Sequence, residues 1–170
     1  MKLIDLTHTI SRRSDAHMSV PVVVRSVSPV HLIPLERLVT LATVIDVSDA
    51  IWKGEILRAD LARSGVSGIA GCIIRSDWCD RIIAGERIDP PVLEVDAAAY
   101  LLEGGVTTVA ADFPLTTAAA DLLLHNNCIV VYCLSGVSQV TRRIVRLIAL
   151  PLKLQDTFSA EARVIAIEEE

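Results

Sequence analysis

The stretch PVHLIPLERLVTLATVIDVSD, Pro29 to Asp49, reads in three parts. Its first residues form a loop carrying His31, LERL gives a short helical turn, and LATVIDVS (Leu41–Ser48) is a strand. That strand is apolar on both faces, which places it in the middle of a sheet covered by other elements. Such a run should end at an active site or come from one, yet only His31 stands out here as a candidate for polar chemistry.

Outward from this stretch, strands precede it and alternate with helices after it. KLIDLTHTI (Lys2–Ile10) and VPVVVRSVS read as strands, with the polar loop SRRSDAHMS between them. ILRADLARSG (Ile56–Gly65) is a short helix or turn, and IAGCIIRSDW (Ile69–Trp78) a buried strand with polar residues at its end. EVDAAAYLLEGG (Glu94–Gly105) is the clearest helix, closed by a glycine pair. VTTVAADFP is a strand, TTAAADLLLHNN (Thr116–Asn127) a second helix, and CIVVYCLSGV, RRIVRLIALPLKL and ARVIAIEEE are further strands. The order predicts an α/β fold with a mixed sheet and packed helices, in one domain over 1–170.

The totals agree. Of 170 residues 52% are hydrophobic and only 4% aromatic, the aliphatic composition of buried strands. The net charge of −5 is spread evenly apart from Glu168, Glu169 and Glu170, which read as a solvated chain end. There is no basic stripe, so nucleic acid is not an expected partner. No apolar run approaches the ~20 residues of a membrane span, and no leader is recognised, so a cytoplasmic protein is expected. Cys72, Cys79, Cys128 and Cys133 lack zinc spacing, and all but Cys79 sit in apolar runs as packing thiols.

Polar residues at the ends of buried strands are the candidates for chemistry. Asp112 and His8 could form an acid/base pair, with Tyr132 or Cys133 as proton donor or nucleophile. Trp78, Arg75, Cys133 and His31 are the expected substrate contacts. Each has a plainer reading beside it: Asp112 could cap a turn, and His8 could bond within a loop. His125 suits a helix C-terminus, and His17 an exposed loop.

Taken in order, these segments resemble the cyclase family of metal-dependent hydrolases, which includes bacterial kynurenine formamidases and isatin hydrolases. IDLTHTI is similar to its opening strand, IPLERLVTLATVIDVSD to the segment after its metal motif, and CIIRSDW to its LIRTGW strand. LEVDAAAYLLEGGVTTVAADFP and LPLKLQDTFSAEARVIAI are similar to its later segments. The resemblance implies a swivelling β/β/α domain, assembled as a homodimer or larger homo-oligomer around a small-molecule ligand.

The family's metal motif, HxGTHxDxP, has no counterpart. The chain passes from VVVRSVSPV straight to HLIPLERL. The resemblance also puts Ala120 at the family's later histidine and Tyr132 at its glutamate. It therefore implies no metal site and no cofactor. Two readings follow: a metal-independent enzyme doing acid/base cyclisation, dehydration or isomerisation, and a non-catalytic binding or scaffold relative. A third keeps hydrolysis of a cyclic amide, formamide or ester, with metal held by His8, His17 and His31.

Overall fold

The computed structural model describes residues 1–9, 21–66 and 68–169. The loop SRRSDAHMS, with His17, lies outside the described residues. Aliphatic, β-branched runs form the long elements, and these make an eight-stranded sheet. Its parallel centre is β3 (Val39–Asp46), β5 (Gly71–Arg75), β7 (Thr108–Ala111) and β8 (Ile129–Tyr132), neighbours in the order β8-β7-β5-β3. On either flank lies an antiparallel strand, β2 (Val23–Arg25) on β8 and β9 (Ile144–Pro151) on β3.

The last strand, β10 (Ser159–Glu168), pairs with β9 along one edge. Its other edge takes β2 at Ser159–Glu161 and β1 (Lys2–Asp5) at Ile165–Glu168. The sheet thus closes on itself like a barrel. A separate parallel pair, β4 (Glu55–Ile56) with β6 (Val92–Leu93), lies outside it.

Strand alternation divides the interior in two. Cys72 and Ile74 of β5, Val109 and Ala111 of β7 and Val130 of β8 face the helices. Ile73, Ala110, Ile129 and Val131 face the inside of the closed sheet, against Leu147, Val164 and Ala166. The helices are α1 (Leu35–Leu38), α2 (Ala50–Lys53), α3 (Arg58–Ala62), α4 (Trp78–Ile83), α5 (Val95–Glu103) and α6 (Thr117–His125). Ala97, Ala98 and Leu101 of α5 and Ala119 and Leu123 of α6 fill the helix-side core. The expected mixed sheet with packed helices is what the chain forms.

Three elements differ from the reading above. The first strand ends at Asp5, because its carboxylate accepts the Thr7 N–H (3.1 Å) and turns the chain. Trp78 does not end a strand; it opens α4, after Asp77 takes a left-handed φ of 66°. The terminal glutamates are not all solvated chain. Glu168 is buried, and its carboxylate accepts from Thr141 N–H (2.5 Å), Thr141 Oγ1 (3.0 Å) and Arg142 N–H (3.0 Å). Those three bonds hold its pKa down at about 2.

Candidate active site

Because β5, β7 and β8 run parallel, the residues following them emerge at one end of the sheet. Asp112 follows β7 and is 2% exposed. The Ser76 N–H donates to both its oxygens (2.8 and 3.0 Å), Ser76 Oγ to Oδ1 (2.7 Å), and the Asp77 N–H to Oδ2 (2.6 Å). Its own carbonyl accepts the Cys79 N–H (3.1 Å). Burial pushes the carboxyl pKa up to about 7, against the opposing pull of those donors. The same bonds explain the turn from β5 into α4: Ser76 and Asp77 are drawn over Asp112, and Ser76 Oγ then accepts the Trp78 N–H (3.2 Å).

Above Ser76 opens a cleft of about 510 Å³, lined by Ser48, Asp49, Trp52, Ser76, Asp77 and Arg81. Its size is within the range of small-molecule sites. Trp52 is 72% exposed, with the Arg81 guanidinium 4.6 Å from its ring centroid. Arg75 spans Asp77 (2.7 and 3.0 Å) and Asp46 (3.1 Å), and its pKa is raised by the Asp77 bonds.

His8 comes from the segment after β1, and both of its ring nitrogens are buried without a hydrogen-bond partner among the described residues. Burial lowers its pKa, while the charge of Asp80 acts the other way. Asp80 in turn accepts the Gly136 N–H (2.7 Å) after β8. His8 and Asp112 share no hydrogen bond; Asp80 is the acid whose charge reaches His8, and Asp112 is taken up by Ser76 and Asp77.

Cys133 is fully buried at φ 65°, beside Cys79. Its bond to Cys79, together with burial, holds the Cys79 thiol protonated. Burial raises Cys72 to about 12, so these are packing thiols among four free, buried cysteines. Tyr132 closes β8 opposite Val23 of β2, half-buried against the helix-side core. Burial raises its phenol pKa, and the Arg25 guanidinium opposes that shift.

Two expected substrate contacts sit elsewhere. Trp78 belongs to the helix-side core, 3% exposed, with its indole N–H spent on the Ile88 carbonyl (3.0 Å). His31 lies in a 3-10 turn, Val30–Leu32, at the opposite end of the parallel strands, where Nδ1 accepts the Asp156 N–H (3.3 Å). His125 bonds the Asp121 carbonyl through Nδ1 (2.6 Å), within the last turn of its helix. Sequence reasoning did not pick out Ser76, Asp80, Trp52 or Arg81. Ser76 lies in the strand end IAGCIIRSDW and Asp80 just beyond it, but nothing in that stretch marks which of its polar groups turn inward.

Ala120 is a buried position on α6, and Tyr132 ends β8 with its phenol half-buried. Among the described residues there is no group of three His, Cys, Asp or Glu side chains able to hold a metal ion.

The Cyclase family model matches residues 4–118, well over half of the chain. The chain belongs to the Cyclase family. Solved structures share this family member's fold along almost its whole length. A potential metal-dependent hydrolase with cyclase activity is 18% identical, with a TM-score of 0.77 over 99% of this chain and 98% of that one. Isatin hydrolase A from Labrenzia aggregata is 17% identical, at 0.79 over 99% and 94%. A predicted metal-dependent hydrolase from Bacillus stearothermophilus is also 17% identical, at 0.76 over 97% of each chain. At these identities the likeness is one of fold. Among curated proteins no sequence match is found.

Proposed function

We propose that this Cyclase-family chain is a small-molecule enzyme working by acid/base chemistry without the family's metal. The observation that carries the reading is Asp112: a buried carboxyl brought to a pKa of about 7, joined through Ser76 Oγ to the floor of a cleft. A group titrating near neutrality can take a proton and return it, which is what cyclisation, dehydration or isomerisation requires. Ser76 is fully buried beneath the cleft, so a ligand proton would pass to Ser76 Oγ, as the Ser76 proton passes to Asp112, once the turn that carries Ser76 and Asp77 moves aside. Trp52 and Arg81 would hold a planar, polar ligand against the cleft wall.

The described residues do not suit the metal that the fold family implies. A methyl at Ala120 and a phenol at Tyr132, with the Arg25 cation acting on that phenol, offer zinc or manganese neither imidazole nor carboxylate. His8 and His31 belong to opposite ends of the sheet and do not converge as ligands.

One observation favours a second reading, a non-catalytic binding relative: both Asp112 oxygens are already occupied by backbone and hydroxyl donors, which is also how a purely structural carboxylate is held. Solvent exchange separates the two. Metal-free protein in D2O, given a panel of small ketones, hydroxyketones and keto acids, is expected to place deuterium on a carbon of at least one compound. Ser76→Ala is expected to slow that exchange by roughly 100-fold, the lower range of general acid/base contributions. No exchange or turnover without metal, with hydrolysis of a cyclic amide appearing when zinc or manganese is added, would overturn the reading. Binding of a panel compound with no exchange under any condition favours the second.

A further inference from the structure

His31 takes no part in the cleft, but it borders a second cavity, a groove of about 180 Å³ between segments 30–38 and 150–153. Arg37 of the first segment bonds Asn127, just ahead of β8 (3.2 Å), so the groove stands at the start of the parallel strands. Val30 N–H holds that segment to the Thr157 carbonyl (2.7 Å), and Arg37 N–H closes its turn on the Pro34 carbonyl (3.0 Å). Val30, Ile33 and Leu38 are buried along the groove. Leu35 and Leu150 form its open sides, 66% and 45% exposed. His31 and Lys153 supply the polar side chains among the residues that line it.

The bonding of His31 fixes what it offers. Its Nδ1 accepts the Asp156 N–H (3.3 Å), so the ring proton sits on Nε2. That Nε2–H has no acceptor among the described residues, and the Lys153 ammonium has no hydrogen-bond or ion-pair partner among them. Two unspent donors, one of them charged, thus stand over apolar walls with no carboxylate between them. Two donors match the two oxygens of a carboxylate, and the ammonium matches its charge. A phosphate monoester brings three acceptor oxygens and nearly two charges, and would turn unpaired acceptors towards leucine.

The volume sets the length of the tail. At ~30 Å³ for each group the size of a water molecule, 180 Å³ takes roughly six such groups. We infer that the groove binds a short aliphatic carboxylate of roughly six carbons, its oxygens on His31 Nε2–H and Lys153 and its chain along Leu35, Leu38 and Leu150. The site is independent of the acid/base reading, because it stands at the other end of the strands from Asp112.

Titration of the full, metal-free, 15N-labelled chain with sodium butanoate, hexanoate, octanoate and decanoate at fixed ionic strength, followed by amide NMR, tests this. Hexanoate is expected to shift amides of segments 30–38 and 150–156 saturably. Each buried methylene is worth about 4-fold, so hexanoate should bind about 10- to 15-fold more tightly than butanoate. Decanoate should gain less than about 4-fold over octanoate, because the groove is by then full. 1-Hexanol keeps the chain without the charge and should bind at least ~10-fold more weakly than hexanoate. Lys153→Met, at an exposed position, should weaken hexanoate about 5- to 10-fold and leave hexanol unchanged, with the rest of the spectrum in place to show the fold intact. Shifts that do not saturate, or that fall outside these segments, overturn the inference. So does hexanol that binds as tightly as hexanoate, or a Lys153→Met variant that binds hexanoate like the wild type. Affinity that keeps rising 4-fold per methylene through decanoate would overturn the assigned length, and with it the groove as the site.

Discussion

Asp112 shows how one side chain ties local geometry to chemistry. Asp112→Ala removes the acceptor of the Ser76 and Asp77 N–H groups and leaves them buried, so a loss of about 2–4 kcal/mol in urea unfolding is expected. Asp112→Asn keeps an oxygen for those donors and can offer its amide to Ser76 Oγ, so its cost at acidic pH should stay within about 1 kcal/mol. The pH dependence has a definite sign. Folding raises this pKa from 3.8 to about 7, so the folded state binds the proton more tightly than the unfolded chain does. The stability this proton supplies is complete below about pH 4 and is lost as pH rises through 7. Asp112→Asn should therefore gain on the wild type between pH 4.5 and pH 8, and equal slopes for the two proteins would show that Asp112 does not titrate there. The motif AADFP marks Asp112 as a candidate, but its partner Ser76 is 36 residues away, and no local pattern reports a bond of that span.

Among the elements, β3 and β5 lie close because Gly71 has no side chain. A Cβ there would stand 2.8 Å from the Leu41 carbonyl oxygen and 2.9 Å from Thr40 Cγ2, so the neighbouring strand itself would have to move. Gly71→Ala is expected to cost about 1–3 kcal/mol, read as a lower urea midpoint at unchanged slope. At the far edge, Glu168 joins the end of β10 to Thr141 and Arg142, which lead into β9. Its folded pKa is depressed to about 2, so its contribution is present above pH 4.5 and is lost as pH falls towards 2. Glu168→Gln should be less stable than the wild type at pH 6, and the gap should close by pH 2.5. A constant gap would assign Glu168 a packing role alone. The long elements are legible from periodicity, since β3, α5 and α6 each bury a regular face. The break from β5 into α4 is not, because it depends on Asp112 pulling Ser76 and Asp77 over the strand end.

On the scale of the molecule, the parallel strands are covered on one face by helices and on the other by the closed sheet, so both cores share β5, β7 and β8. Loss of either exposes those strands, which predicts one cooperative unfolding transition for the whole chain. In Trp52→Phe the remaining indole, Trp78, reports the helix-side core, and its fluorescence midpoint should coincide with that of far-UV circular dichroism. Separated midpoints would mean that the two cores unfold independently. Chelator dialysis is expected to leave the melting temperature unchanged; a fall restored by zinc or manganese would point to a ligand set other than the positions considered above.

The sequence by itself determined the α/β class and the order of the long strands and helices, because both are written in contiguous residues and local periodicity. It also marked strand ends as places for polar groups. Only the tertiary structure decided that Asp112 answers to Ser76, that His8 lies under the charge of Asp80, that Trp78 is core and that Glu168 is buried. Those outcomes rest on burial and on hydrogen bonds between residues far apart in the chain. A carboxylate's role follows from what surrounds it in space, and one-dimensional spacing carries no record of that.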